Sequence, residues 1–304
     1  MAGKDVIMGD LLKDRVAVVT GAGNGIGRAE AIGLAAQGAK VVVNDLGVNY
    51  MGEGKSNEPA DRVVETIKAA GGIAVASYSS VADEESAKGI IQTAVDKFGR
   101  IDVLVNNAGY VRTAPVHKIP TEDWDGVLKT HLYGTFYCTR AATALMKEQG
   151  YGRIVNTASH IGLGFKGQAT YSTAKEAIVG FTRTVARDMA DYGTCNAIRP
   201  IAAWRGAAAR DESERISELE VNQPEDIAAL VVYLCSEEAD NINGCIFEVW
   251  RGHVGIFADP PPVEQILWKD GRWKPEELAE TMPKTITKDK TRALISTFPF
   301  FRGE

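Results

Sequence analysis

Short β-branched runs alternate with long helical stretches from Val16 to Val249, and this rhythm constrains the fold more than any other feature of the chain. The runs are Val16–Val19, Val41–Val43, Ile73–Ala76, Val103–Val105, Ile154–Asn156, Cys195–Ile198 and Ile246–Val249. The first two are unbroken apolar runs. A strand covered on both faces has no polar side, so such runs belong in a parallel sheet. Helical patterns fill the intervals. Gly25–Gln37 is stopped by Gly38, and Pro59–Ala70 ends at Gly71-Gly72. Another is capped by Asp83 and runs to Phe98; one capped by Thr121, after Pro120, runs towards Leu145. Two more cover about Thr170–Ala190 and Pro224–Cys235. Repeated strand–helix–strand units predict a doubly wound parallel α/β sheet with helices on both faces.

Two segments break the rhythm. Gly47–Glu58 is a polar, glycine-bearing loop where the second strand should pass quickly into a helix. From Ala258 the chain opens with Pro260-Pro261-Pro262, carries Trp268 and Trp273, and ends in Phe298-Pro299-Phe300-Phe301. So much aromatic surface predicts an extension, residues 258–304, packed on the body formed by residues 1–257 or on a partner subunit.

The 304 residues can bury a sizeable core, and the net charge of -6 argues against a nucleic-acid binder. Cys138, Cys195, Cys235 and Cys245 form no CxxC pair, which favours core thiols in a reducing compartment over metal ligation. Met1 to Arg15 has no apolar run behind a basic start. No stretch is apolar enough to span a membrane. A cytoplasmic protein is expected.

The first strand runs into Thr20-Gly21-Ala22-Gly23-Asn24-Gly25-Ile26-Gly27. Glycines at a strand-to-helix turn let the backbone approach a diphosphate, and the helix N-terminus offers free N–H groups. Asp45 ends the second strand, where a carboxylate accepts hydrogen bonds from ribose hydroxyls and repels a 2′-phosphate. Asn24 places no cation in the turn. Both features favour NAD over NADP. Further on, Tyr171 and Lys175 are four apart on one helical face. A phenol titrates near pH 10, and a nearby ammonium with a positive nicotinamide ring lowers that value, so Tyr171 can act as a base. Ser159, just after a strand, offers a hydroxyl to hold a substrate oxygen.

Five ordered motifs now stand together: Thr20-Gly21, Gly25-Ile26-Gly27, Asn106-Asn107-Ala108-Gly109, Ser159, and Tyr171-Ser172-Thr173-Ala174-Lys175. Across about residues 12–250 the chain resembles the short-chain dehydrogenase/reductase family. The resemblance implies a single Rossmann-like domain of about seven parallel strands in a homodimer or homotetramer, acting on a small molecule with no nucleic acid or membrane. It implies catalysis by Ser159, Tyr171 and Lys175. It implies NAD contacts from Gly21, Asn24, Gly25, Ile26, Gly27, Asp45, Ser80, Val81, Asn107, Ala108, Gly109, Tyr171, Lys175 and Pro200.

A narrower likeness rests on Val43-Asn44-Asp45-Leu46-Gly47, the Gly52-Glu53-Gly54-Lys55 loop, Thr139-Arg140-Ala141-Ala142, Tyr151-Gly152-Arg153-Ile154 and Phe247-Glu248-Val249. This set is similar to the dehydrogenase part of multifunctional enzymes type 2, which oxidise (3R)-hydroxyacyl-CoA thioesters with NAD. His131 stands where many family members have an asparagine of a proton relay, and the type 2 enzymes share the histidine. It can relay protons or support the helix. Ser159 lies one residue closer to Tyr171 than is usual. Arg199-Pro200-Ile201-Ala202-Ala203-Trp204 lacks the family's glycine and nicotinamide-binding threonine. Arg205 and Arg210 could meet CoA phosphates or stay solvated. Three readings follow: a (3R)-hydroxyacyl-CoA dehydrogenase of β-oxidation, a dehydrogenase of a free secondary alcohol such as a steroid or terpenoid, and an inactive coenzyme-binding subunit of a hetero-oligomer.

Overall fold

The computed structural model describes residues 9–202, 222–258, 263 and 265–288. The chain divides into two compact units, Met1–Phe257 and Ala258–Glu304. The first holds one sheet of eight strands: β1 Val16–Thr20, β2 Lys40–Asn44, β3 Ile73–Ser77, β4 Val103–Asn106, β5 Gly152–Thr157, β6 Gly193–Pro200, β7 Ile246–Trp250 and β8 His253–Ile256. Their order is β3-β2-β1-β4-β5-β6-β7-β8. Every pair is parallel except the last, β7 with β8. The order reverses direction at β1, where one half of the sheet runs outward to β3 and the other to β8. Ligands of such sheets bind in the crevice at this switch, outside the carboxyl ends of the strands.

The two apolar runs explain themselves here. Ala17 and Val19 on β1, with Val41 and Val43 on β2, face a core built with Leu34, Val63, Ile67, Ile227 and Val231. The alternate residues Val16, Val18 and Val42 face the opposite core, with Ile90, Ile91, Cys138 and Met146. Successive strand side chains point to opposite faces, so a sheet filling two cores needs apolar residues at every position. The covering helices are α1 Gly25–Ala36, α2 Glu58–Ala69, α3 Glu84–Phe98, α4 Thr121–Leu128, α5 Gly134–Gln149, α6 Ala169–Asp188 and α7 Pro224–Leu234.

The expected parallel sheet gains one edge strand, and one expected helix needs correction. The sheet has an eighth strand, antiparallel at the edge, that no apolar run announced. The helix from Thr121 towards Leu145 is also not continuous. Residues Lys129–Tyr133 form a π-helical turn between α4 and α5, and Thr121 begins α4 without capping it. A widened turn of this kind displaces side chains from α-helical register and often marks a functional site. Asp83 does cap α3, accepting from the Ser86 amide at 2.9 Å. The second unit contains a short helix, α8 Pro275–Thr281, opened by Lys274 and Glu277, with Lys269 Nζ 5.1 Å from the Trp273 ring centre. Trp204, Arg205, Arg210 and Phe298–Phe301 lie outside the described residues. Among the described residues no helix is long and apolar enough to cross a membrane.

Candidate active site

The carboxyl ends of β1, β2, β4, β5 and β6 carry nearly all the residues singled out by the sequence. β1 passes into the glycine turn, where Gly21 adopts φ +65. A Cβ there would sit 2.7 Å from the Ala108 Cα, so only glycine lets the turn close on the loop after β4. Asn107 fastens that contact: its Nδ2 donates to the carbonyls of Thr20 at 2.9 Å and Gly21 at 3.1 Å. Gly25, Ile26 and Gly27 form the first turn of α1. Asn24 precedes them in extended conformation, and α1 has neither a side-chain cap nor an acidic residue in its first turn. Its free N–H groups therefore remain available to an anion.

Asp45 is buried at the end of β2. Its Oδ2 accepts from the Gly23 amide at 2.7 Å and its Oδ1 from the Gly47 amide at 2.7 Å. The carboxylate thus shapes the turn, and its remaining lone pairs suit ribose hydroxyls. The structure also places a cation that the sequence reading missed. Arg62 on α2 donates to Asn24 Oδ1 at 3.2 Å, while Glu58 pairs with it at 3.2 Å. Ser80 and Val81 follow β3. The Ser80 hydroxyl accepts from the Ala82 amide, and Val81 is buried. Pro200 closes β6. Free helix amides, an uncapped glycine turn and a buried carboxylate beside it fit a dinucleotide with a diphosphate and a ribose.

The polar loop of residues 46–57 is folded and tethered. The Asn49 side chain accepts from the amides of Met51 at 2.8 Å and Glu53 at 3.1 Å. Gly52 lies against the Tyr110 ring. Glu53 pairs with Arg112 at 3.3 Å, and Arg112 also holds Asp123 at 3.1 Å. Tyr110 and Arg112 follow β4, and the loop leaves β2. Because β1 lies between these strands, the loop spans the switch point.

Ser159, Tyr171, Lys175 and His131 converge beside this crevice. Ser159 lies in the turn just after β5, and its hydroxyl accepts from the Ile161 amide at 3.1 Å. Tyr171 and Lys175 share one face of α6, with the Lys175 Nζ 5.5 Å from the Tyr171 ring centre. Lys175 is buried and donates to the Thr157 carbonyl. His131 sits in the π-helical turn, its ring edge-on to Tyr171 at 5.2 Å between centres. Its Nε2 lies 2.7 Å from the Tyr110 carbonyl oxygen, and a Cβ on Gly109 would overlap the ring.

Electrostatics in the protein alone oppose charge at this cluster. Burial raises the Tyr171 phenol to about 12, and its hydrogen bond with Ser159 pulls the other way. Burial lowers Lys175 to about 7, with Glu30 acting to raise it. Burial, then the Lys175 charge, lowers His131 to about 3, so the imidazole is neutral near pH 7. In the protein alone, desolvation of the phenolate outweighs what Lys175 contributes, so the expected lowering of the phenol falls to the nicotinamide charge together with the ammonium.

A family model described as short chain dehydrogenase matches residues 15–204. The chain belongs to this family: it is a dehydrogenase/reductase working between hydroxyl and keto groups, in a family that uses nicotinamide coenzymes. It is 46% identical over 244 residues to peroxisomal multifunctional enzyme A of Dictyostelium discoideum, covering 80% of this chain and 54% of that protein, so it spans about half of that relative. It is 37% identical over 288 residues to a hydroxyacyl-CoA dehydrogenase of Mycobacterium tuberculosis, covering 89% of this chain and 88% of the other. The crystal structure of a short chain dehydrogenase from Mycobacterium avium superposes with a TM-score of 0.80 at 42% identity, covering 91% of this chain and 96% of that one.

Proposed function

We propose that the chain oxidises a (3R)-hydroxyacyl-CoA to the 3-ketone with NAD, in β-oxidation, as a cytoplasmic homodimer or homotetramer. The observation that carries the substrate class is the loop after β2, folded and tied to Tyr110 and Arg112, since that loop bears the likeness to the type 2 dehydrogenases. Asp45 carries the coenzyme choice: a buried carboxylate beside the glycine turn accepts from ribose hydroxyls and opposes a 2′-phosphate. Arg62, held at Asn24 and paired with Glu58, stands near the turn, so the NADP arm of the test below weighs it against Asp45.

Gly21, Gly25, Ile26 and Gly27 would hold the diphosphate, Asp45 the adenosine ribose, and Asn107, Ala108 and Gly109 would line the crevice next to it. Lys175 would hold the nicotinamide ribose. The bound nicotinamide supplies a hydride acceptor and a positive charge. Ser159 and Tyr171 hold the substrate hydroxyl oxygen. Tyr171 takes the hydroxyl proton as the carbinol carbon loses hydride and the C=O bond forms. Added positive charge beside a phenol raised to about 12 favours the phenolate and brings it towards neutrality. Lys175, whose ammonium pKa is lowered by burial, places its Nζ 5.5 Å from the ring centre of the phenol and favours the phenolate when charged. His131, neutral and edge-on to Tyr171, keeps the ring in place and offers Nδ1 to a proton path.

NADH formation from a panel of (3R)-hydroxyacyl-CoA thioesters, steroids and simple secondary alcohols tests this reading, with NADP run beside NAD. Thioester turnover with NAD is expected, reduced about 10²- to 10⁴-fold in Tyr171→Phe. Turnover of free alcohols alone would refute the substrate. Full activity of Tyr171→Phe would refute the mechanism.

A further inference from the structure

We propose that Arg199, paired with Glu176, is a positioning residue of the hydride-transfer site, fixing the main chain of Ser159 against the helix that carries Tyr171 and Lys175. The inference rests on the roles given above to Ser159 and Tyr171.

Arg199 stands near the end of β6, immediately before Pro200, and is only 3% exposed. A guanidinium is rarely buried unless paired, so its partners define what it does. Nη1 donates to the Ser159 carbonyl at 2.6 Å, and Nη2 donates to Glu176 Oε2 at 2.9 Å. Glu176 follows Lys175 on α6. One planar fork therefore joins three elements: β6, the turn that follows β5, and α6. Because the fork is rigid, it fixes its two partners relative to each other as well as to itself.

The serine turn is seated on this pair. A Cβ on Gly162 would stand 3.0 Å from Glu176 Oε2 and 3.2 Å from Arg199 Nη1. The Phe257 ring, 5.0 Å from the guanidinium carbon, packs against it as well. A second tie lies one turn along, where the Ser172 hydroxyl donates to the Ile161 carbonyl at 2.7 Å. The turn is thus held at two carbonyls, Ser159 by Arg199 and Ile161 by the neighbour of Tyr171. These ties set where the Ser159 hydroxyl stands relative to the Tyr171 phenol.

Three groups face that phenol: Ser159 from the turn after β5, Lys175 from α6, and His131 from the π-helical turn. Arg199 bonds to the first of these directly. Releasing Ser159 removes the hydrogen bond that favours the phenolate, so loss of Arg199 reads out as a more alkaline proton transfer as well as a slower one.

The experiment uses the full chain and any substrate of the panel that it oxidises. Arg199→Met, Arg199→Lys and Glu176→Gln are compared, with Tyr171→Phe as reference. Arg199→Met is expected to lower kcat by about tenfold to hundredfold. The apparent pKa of kcat/KM is expected to rise by roughly one unit, as loss of a stabilising hydrogen bond requires. NADH affinity, read by fluorescence, stays within about twofold because Arg199 touches none of the residues assigned to the diphosphate or the adenosine ribose. Arg199→Lys recovers less than half of kcat, since a point charge cannot grip both partners. Unchanged kcat and pH profile in Arg199→Met, beside an inactive Tyr171→Phe, overturns the proposal while leaving the catalytic reading intact. An active Tyr171→Phe overturns that reading and the proposal with it. Should Arg199→Met not fold, Glu176→Gln at its half-exposed position takes its place: a smaller loss with the same alkaline shift supports the proposal, and no shift overturns it.

Discussion

Glu30 lies on α1 with no exposure, and neither carboxylate oxygen finds a hydrogen-bond donor among the described residues. Burial raises its carboxyl from 4.5 to about 8. Below 4.5 the group is protonated in both folded and unfolded chains. Between 4.5 and about 8 the unfolded chain releases the proton while the folded one keeps it, so stability falls as pH rises through this window. The slope approaches about 1.4 kcal/mol per pH unit at most. Glu30→Gln should flatten the dependence of Tm on pH across that window and raise Tm at pH 8, which thermal unfolding at stepped pH will measure. At this same scale, Ser159, Tyr171 and Lys175 are legible in the sequence because their pattern is local: two residues four apart on one helix, and one residue just after a strand. Arg112 and Arg199 are not. Their partners Glu53 and Ser159 are 59 and 40 residues away, and only the sheet order brings them together.

Among the elements, the loop of residues 46–57 offers the clearest test. It spans the switch point and is held by Gly52 against Tyr110 and by the Glu53–Arg112 pair. Glu53 is 63% exposed, so the ion pair is worth no more than about 1 kcal/mol. Glu53→Gln should therefore speed NADH release by no more than about fivefold in stopped-flow fluorescence. Gly52→Ala should have a larger effect, because Gly52 holds φ +79 and a Cβ would press on the Tyr110 ring at 2.9 Å. The sequence marks this loop only as an irregularity. The strands β1 to β7 are readable as apolar runs and the helices as periodic patterns. β8 is not, since a four-residue strand with exposed Val254 and Ile256 carries too short a signal. The π-helical turn is hidden for another reason: Lys129–Tyr133 continues a helical pattern, and the break in register, with His131 buried inside it, leaves no mark in the periodicity.

For the whole molecule, the sheet and its two helical layers lie within Met1–Phe257, and the core residues, among the described residues, all belong to that unit. A chain ending at Phe257 should keep its far-ultraviolet circular dichroism and unfold in one transition. Its mass in solution and its KM then read what the extension contributes: a fall in mass assigns 258–304 to a subunit contact, a rise in KM to the substrate mouth. The Arg199–Glu176 pair carries a consequence for how such a chain can drift through generations. Arg199 is 4% exposed at its side chain and Glu176 47%. In stability alone, loss of Arg199 leaves a carboxylate that water can solvate, whereas loss of Glu176 strands a buried cation. In catalysis the order is the opposite, because Arg199 and not Glu176 grips the Ser159 carbonyl. Neither position can therefore change freely by itself. Descendants that keep both residues, or have replaced both, should outnumber those with either one alone.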